Sequence, residues 1–252
     1  MHTSAKIKAE LFVKHYLQHL PRQDGQVRVL EVGSKSYLDQ DTLRYLFTDA
    51  PFHYTGLDIE AGKNVDLVPA DTFIWDELAN ESFDLVISSQ TFEHNPYFWV
   101  TFAEMARVVS SNGLLLITAP GGGRVHRFPF DCWRFYPDSW QMLCDMAGIE
   151  LLESHFENDS TAHIVPGGTW RDSSLIARKG EMKGPAAASF YDRLKSICAP
   201  FRGLKLAEAK PDRSLGPCFA AYEQLVRQQY TPSMGKNLER ALRRYSPPRI
   251  TD

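Results

Sequence analysis

Cysteine is scarce in this 252-residue chain, and the four that occur, Cys132, Cys144, Cys198 and Cys218, stand singly with no paired metal-type spacing. Neither a disulfide framework nor a zinc site is implied, and a reducing, cytoplasmic setting fits this usage best. No apolar run approaches the ~18 residues that a membrane span needs. The opening residues are polar and mixed in charge, unlike a secretory leader, so no membrane association is expected. A strong excess of one charge is missing too. The net charge is −3, made of about −8 over residues 1–200 and about +5 over residues 201–252. The main part of the chain therefore has no basic groove. The basic end interleaves Lys and Arg with Leu, Tyr and Glu as a solvated helical face does, so nucleic acid is not an expected partner. Internal repeats and low-complexity tracts are also absent.

Hydrophobic residues make up 43% of the chain, enough for one substantial core, so a single α/β domain over residues 1–182 with an appendage over residues 183–252 is expected. The organising stretch is VRVLEVGS, Val27 to Ser34. Val27, Val29, Leu30 and Val32 read as a short strand covered on both faces, and Gly33 ends it with a turn that lets the backbone approach a ligand. Glu31 stands out, because a carboxylate near that edge is costly to bury without a donor or cation.

Upstream, residues 4–20 place Ile7, Leu11, Val13, Leu17 and Leu20 at near-helical spacing before Pro21. His15 and His19 lie one helical turn apart, but no carboxylate or cysteine accompanies them and no metal site is assigned. Downstream, residues 38–47 read as a helix whose amino end faces the glycine turn and offers free N–H groups to an anion. FHYTGLDI delivers Asp58 at the end of a second strand, where a carboxylate can accept from both hydroxyls of a ribose. NVDLVPAD reads as a third strand ending at Asp71, with a helical segment to Ala79. FDLVISS is a fourth strand, and the residues after it form a crossover helix near Pro96 that ends before Ser111-Asn112-Gly113. GLLLITAP is a fifth, IELLESHFE and SSLIARK a sixth and seventh, with a helix from Pro137 to Gly148 between the fifth and sixth. This alternation predicts a doubly wound sheet. The stretch from Gly180 to Ala188 reads as a linker, followed by two or three helices broken near Pro211, Pro217 and Pro232.

The loop from Pro120 to Pro137 is the densest in chemistry. His126 lies in it, and His94 follows the fourth strand, so both fall at the sheet edge; their ordinary titration near neutrality suits a base. His94 either caps the helix near Pro96 or stands beside cofactor or substrate, and His126 is either an exposed bystander or the base. Asp131 either orients His126 or binds the acceptor. Phe128, Phe130, Trp133 and Tyr136, with Arg134 and Trp170, would form an acceptor pocket where they are not core.

In this order and spacing VLEVGS, YTGLDI, VPAD, FDLVISSQTFEH, ARVVSSNGLLLITAP and AGIELLES resemble the class I S-adenosylmethionine-dependent methyltransferases, over roughly Val27 to Lys179. The resemblance implies a mostly parallel, seven-stranded Rossmann-like sheet whose last strand is antiparallel. It implies that Glu31 and the turn with Gly33, Ser34 and Ser36 contact the methionine end of the donor, and that Asp58 holds the ribose diol. Asp71 and Thr72 would then meet the adenine amino group, Ile59 would pack on its ring, and Ser88 and Ser89 would line the floor below the sulfonium. The chain departs from that family in its turn, which keeps one glycine where GxGxG is usual. The function expected is O-methylation of a small molecule such as a sugar or secondary metabolite, with S-adenosylmethionine as donor and S-adenosylhomocysteine as product. The alternatives are a binding module without turnover on the same fold, or methylation of a macromolecule. The extension from 183 would cap the site, pair two copies of the chain, or bind an acidic partner.

Overall fold

The residues that make Val27–Val32 a central strand also set which side each layer covers. Side chains alternate along this strand, β1: Val27 and Val29 join one apolar cluster, Leu30 and Val32 the other. The computed structural model describes residues 3–22, 24–37, 42–158, 164, 168–206 and 216–229. The other strands are β2 (Phe52–Leu57), β3 (Phe83–Ser89), β4 (Val109–Pro120), β5 (Glu150–Phe156) and β6 (Asp172–Arg178). Their order is β2-β1-β3-β4-β6-β5, with β6 antiparallel to both neighbours and the first four parallel. Helix α1 (Thr3–Tyr16) covers one face through Ala9 and Phe12. Helices α2 (Phe98–Val108), α3 (Pro137–Ala147) and α4 (Gly184–Cys198) cover the other.

The sheet has six strands among the described residues, not seven. The expected third strand makes only a bridge, Leu57 to Leu67. Asp66 and Leu67 donate their N–H groups to the Gly56 carbonyl and the Asp66 carboxylate accepts from the Gly56 N–H, so the segment crosses the end of β2 instead of running along it. Asn64 with a φ of 72° and Pro69, which lacks a donor, keep it from pairing further. No helix follows to Ala79. Of the helix expected over 38–47, residues 38–41 lie outside the described residues, and Leu43–Phe47 is a 3-10 turn capped by Thr42. The turn expected at Ser111-Asn112-Gly113 lies inside β4, where the pairing jumps from Phe83 with Val109 to Leu85 with Leu114.

Helix α1 buries its small residues, Ser4, Ala5 and Ala9, with Phe12, and leaves the expected core residues Ile7 and Leu11 43% and 48% exposed. Helix α4 begins inside the stretch expected as a linker and plants Phe190, Leu194 and Cys198 in the core. One compact unit accordingly runs from Met1 to Ala207, past the expected boundary at 182; a second unit is Glu208–Asp252. Of that second unit only the start is described, chiefly α5 (Pro217–Gln229), which exposes Phe219, Tyr222 and Leu225. No helix among the described residues is long and apolar enough to cross a membrane.

Candidate functional site

From β1 the chain moves outward to β2 on one side and then to β3 on the other, which opens a crevice at the carboxyl ends of β1 and β3. A cavity of about 400 Å³ occupies it, a size suited to a small organic ligand. Gly33 makes the crevice possible. Its φ is 80°, and a Cβ there would sit 2.1 Å from Thr91 Oγ1, so only glycine lets the end of β1 close on the loop after β3. The turn is then stapled to β2: Ser34 N–H donates to the Leu57 carbonyl at 3.1 Å and Lys35 N–H to Asp58 Oδ2 at 2.9 Å. This explains how Lys35 can stand where a second glycine is usual. The turn gains its path from backbone bonds to the next strand.

Of the residues expected to hold the donor, Glu31, Gly33, Ser36, Asp58, Ile59, Thr72 and Ser89 line the cavity. Asp58 accepts from the N–H groups of Lys35 and Glu60, and burial outweighs these bonds to raise its carboxyl above the ordinary range. Glu31 is raised for the same reason. Its oxygens already accept from the Leu43 N–H at 3.1 Å and from the Tyr54 hydroxyl, so it is partly committed to its own fold. Three residues fall outside. Asp71 spends its carboxylate on the N–H groups of Phe73, Ile74 and Gly203, which makes it a local cap and a tie to the segment after α4. Ser88 is buried and donates to the Val32 carbonyl, bracing β3 on β1. Ser34 is fully buried beneath Gly56.

The opposite wall carries His94, His126, Phe128, Phe130 and Trp170. The two imidazoles lie 4.8 Å apart between centroids, and His126 lies 4.4 Å from Trp170. Gly123, with a φ of 98°, lets the loop pass where a Cβ would strike the Trp170 ring at 2.3 Å. His94 Nδ1 contacts the Phe130 carbonyl at 2.5 Å and can only donate there, so its Nε2 carries the lone pair. Burial holds His94 below the ordinary imidazole range. Asp131 does not reach the cavity. It accepts the His126 N–H at 2.7 Å and two Arg134 bonds at 2.6 and 2.9 Å, and stands 3.4 Å from His126 Nδ1. Burial opposes its ionisation, but Arg134 and the His126 N–H hold its carboxyl below the usual range.

Three expected acceptor residues are elsewhere. Trp133 packs on Phe98 and Trp99, Arg134 is pinned on Asp131 and the Arg124 carbonyl, and Tyr136 stacks on Phe156 with 63% of its surface exposed. The residue that sequence reasoning missed is Glu93. It lies in the 3-10 turn Phe92–His94, is 0% exposed, and neither carboxylate oxygen has a hydrogen-bond partner among the described residues. Burial pushes its carboxyl up to about 8. Its position beside His94 in FEHNP was the available signal, hidden because an acid flanking a histidine is ordinary on surfaces.

The sheet order, the crevice at its switch point and an acid at the end of β2 define a nucleotide-type α/β domain. Residues 41–117 match the family model described as a methyltransferase domain. The match covers under a third of the chain and lies within a fold of the class I S-adenosylmethionine-dependent methyltransferase type. The structure is similar to 1,6-didemethyltoxoflavin-N1-methyltransferase of Burkholderia thailandensis, solved with 1,6-didemethyltoxoflavin and S-adenosylhomocysteine: 15% identity, TM-score 0.52, covering 71% of this chain and 80% of that one. It is also similar to the CurJ carbon methyltransferase, at 11% identity and a TM-score of 0.51; the match covers 70% of this chain and 54% of that chain. The [4+2]-cyclase SpnF shares the fold at 17% identity and a TM-score of 0.51, covering 69% of this chain and 80% of that chain. These likenesses speak for the fold. A search of the curated proteins finds no match.

Proposed function

We propose that the protein transfers a methyl group from S-adenosylmethionine to an oxygen of a small molecule. One observation carries this reading: Gly33 and Asp58 line the same cavity as His94, His126 and Trp170. The residues present fit the donor. Gly33 lets the end of β1 close on Thr91 at the rim of the cavity, the Asp58 carboxylate has lone pairs left after its two backbone bonds for a ribose diol, and Ile59 and Thr72 line the same cavity on the adenine side of this reading. When bound, the donor supplies an already activated methyl group. The chain then has to align the acceptor, exclude water and take a proton from a hydroxyl. Phe128, Phe130 and Trp170 supply flat apolar surface for alignment. Glu93, His94 and His126 form the polar group at which the acceptor hydroxyl loses its proton, with Asp131 positioning His126 through the backbone.

The flat apolar surface of Phe128, Phe130 and Trp170 in the cavity lining favours a small acceptor that carries a ring. Isotope-labelled S-adenosylmethionine offered with panels of sugars and aromatic alcohols, and separately with RNA and protein, tests this. Label in a small hydroxylated product, reduced about 100-fold or more in His126→Ala, is the expected result. Label appearing only in macromolecules contradicts the substrate class.

A further inference from the structure

Glu93, His94 and His126 each bring one donor atom within 4.8 Å of the others at the wall of the cavity. His94 Nε2 stands 3.5 Å from Glu93 Oε1, and the Phe130 carbonyl on Nδ1 fixes the tautomer that leaves Nε2 free to ligate. Asp131 Oδ2 accepts the His126 backbone N–H at 2.7 Å and stands 3.4 Å from His126 Nδ1, which holds the residue at the cavity wall. An independent observation points to a cation. The Glu93 carboxylate is wholly buried at the cavity wall beside the two imidazoles and has no hydrogen-bond donor among the described residues, while Arg134, whose charge reaches it, commits its Nη groups to Asp131, Trp133 and Arg124. A buried carboxylate left unpaired is costly, and a divalent ion would supply the missing partner.

We propose that Glu93, His94 and His126 bind one divalent transition-metal ion, which takes the acceptor oxygen as a further ligand. Two imidazoles and one carboxylate suit Zn²⁺, Mn²⁺, Fe²⁺ or Co²⁺ and leave positions open on the cavity side. Ligand bonds of about 2.0–2.2 Å require the three donors to draw in, by rotation of the His126 ring on its glycine-rich loop and of the Glu93 side chain. Coordination weakens the acceptor O–H bond; the proton leaves to water and the oxygen keeps the bonding electron pair, ready to attack carbon. The arrangement is invisible in the sequence because His94 and His126 lie on loops after different strands. This use of the ion rests on the proposed methyl transfer; the site itself does not.

The test is titration of Co²⁺ into the full, chelator-treated chain, followed by its visible d–d absorption and by calorimetry. One equivalent is expected to bind, weakened about 100-fold or more in His94→Ala and in Glu93→Gln, with circular dichroism and S-adenosylhomocysteine affinity unchanged. No saturable binding, equal binding by the variants, or the charge-transfer band of a cysteine ligand would overturn the site. Co²⁺ binding without methyl transfer to any hydroxyl would keep the site and remove the proposed function. Undiminished transfer in excess chelator would overturn the ion's role as the acceptor's ligand and keep the function.

Discussion

Asp58 is the residue on which the proposed donor recognition turns. It sits where β2 ends, tied to the turn after β1 by the Lys35 N–H, so one carboxylate both shapes the turn and faces the cavity. Asp58→Asn keeps one oxygen for the 2.9 Å bond from the Lys35 N–H, gives up the longer 3.3 Å bond from the Glu60 N–H and removes the charge. Because hydrogen bonds to a charged group contribute about 1.5–3 kcal/mol, S-adenosylhomocysteine affinity is expected to fall about 10- to 100-fold with little change in melting temperature, as read by calorimetry and thermal unfolding. An equal loss of both would make Asp58 a purely structural residue. At this scale the sequence was legible where chemistry follows directly from position in a strand: Gly33 and Asp58 end consecutive strands and could be placed by counting. It was not legible for Asp71, Trp133 or Tyr136, because whether a loop side chain faces a cavity or its own backbone depends on contacts with distant segments, such as Gly203 for Asp71 and Phe156 for Tyr136.

Among the elements, α4 shows what composition hides. Gly184, Pro185 and the alanines that follow read as a linker, yet proline suits the first turn of a helix and the apolar residues that anchor it come later, at Phe190, Leu194 and Cys198. A chain ending at 207 is expected to unfold cooperatively, whereas one ending at 182 loses those buried side chains. At about 1.5–3 kcal/mol for each large apolar group, that loss is a large part of a typical domain stability, so a fall in melting temperature of more than 10 °C is expected by calorimetric scanning. Helix α4 also meets Lys179, whose ammonium is fully buried against the Val109 carbonyl, the Tyr191 hydroxyl at 2.9 Å and Glu81 at 3.3 Å, with the charge of Arg107 acting against it. Burial brings this lysine down to about 8 from an ordinary 10.5. The unfolded chain then holds more protons than the folded one between those values, so stability relative to Lys179→Met rises as pH increases from about 8 towards 10.5, by up to roughly 3 kcal/mol. Denaturant titrations of both proteins across pH 7–10 measure the difference; a flat difference would show that Glu81 keeps the lysine at its ordinary value.

For the whole molecule, the sheet order decides where chemistry can happen. The alternation of apolar runs with helical segments was enough to foresee a doubly wound sheet and a crevice beyond Gly33. The strand count was one too high because Asp66 and Leu67 bond across the end of β2, a choice set by tertiary hydrogen bonds and not by local propensity. The wall proposed as catalytic was half legible: the histidines drew attention as bases, but that Glu93 beside them is buried with no hydrogen-bond partner among the described residues is a property of the folded core. Donor binding at the end of β1 and β2 underlies both proposals about the acceptor. Isothermal calorimetry of the wild-type chain with S-adenosylhomocysteine tests it most directly. One molecule bound per chain in the micromolar range is the result expected here; no saturable heat at millimolar concentration would contradict it.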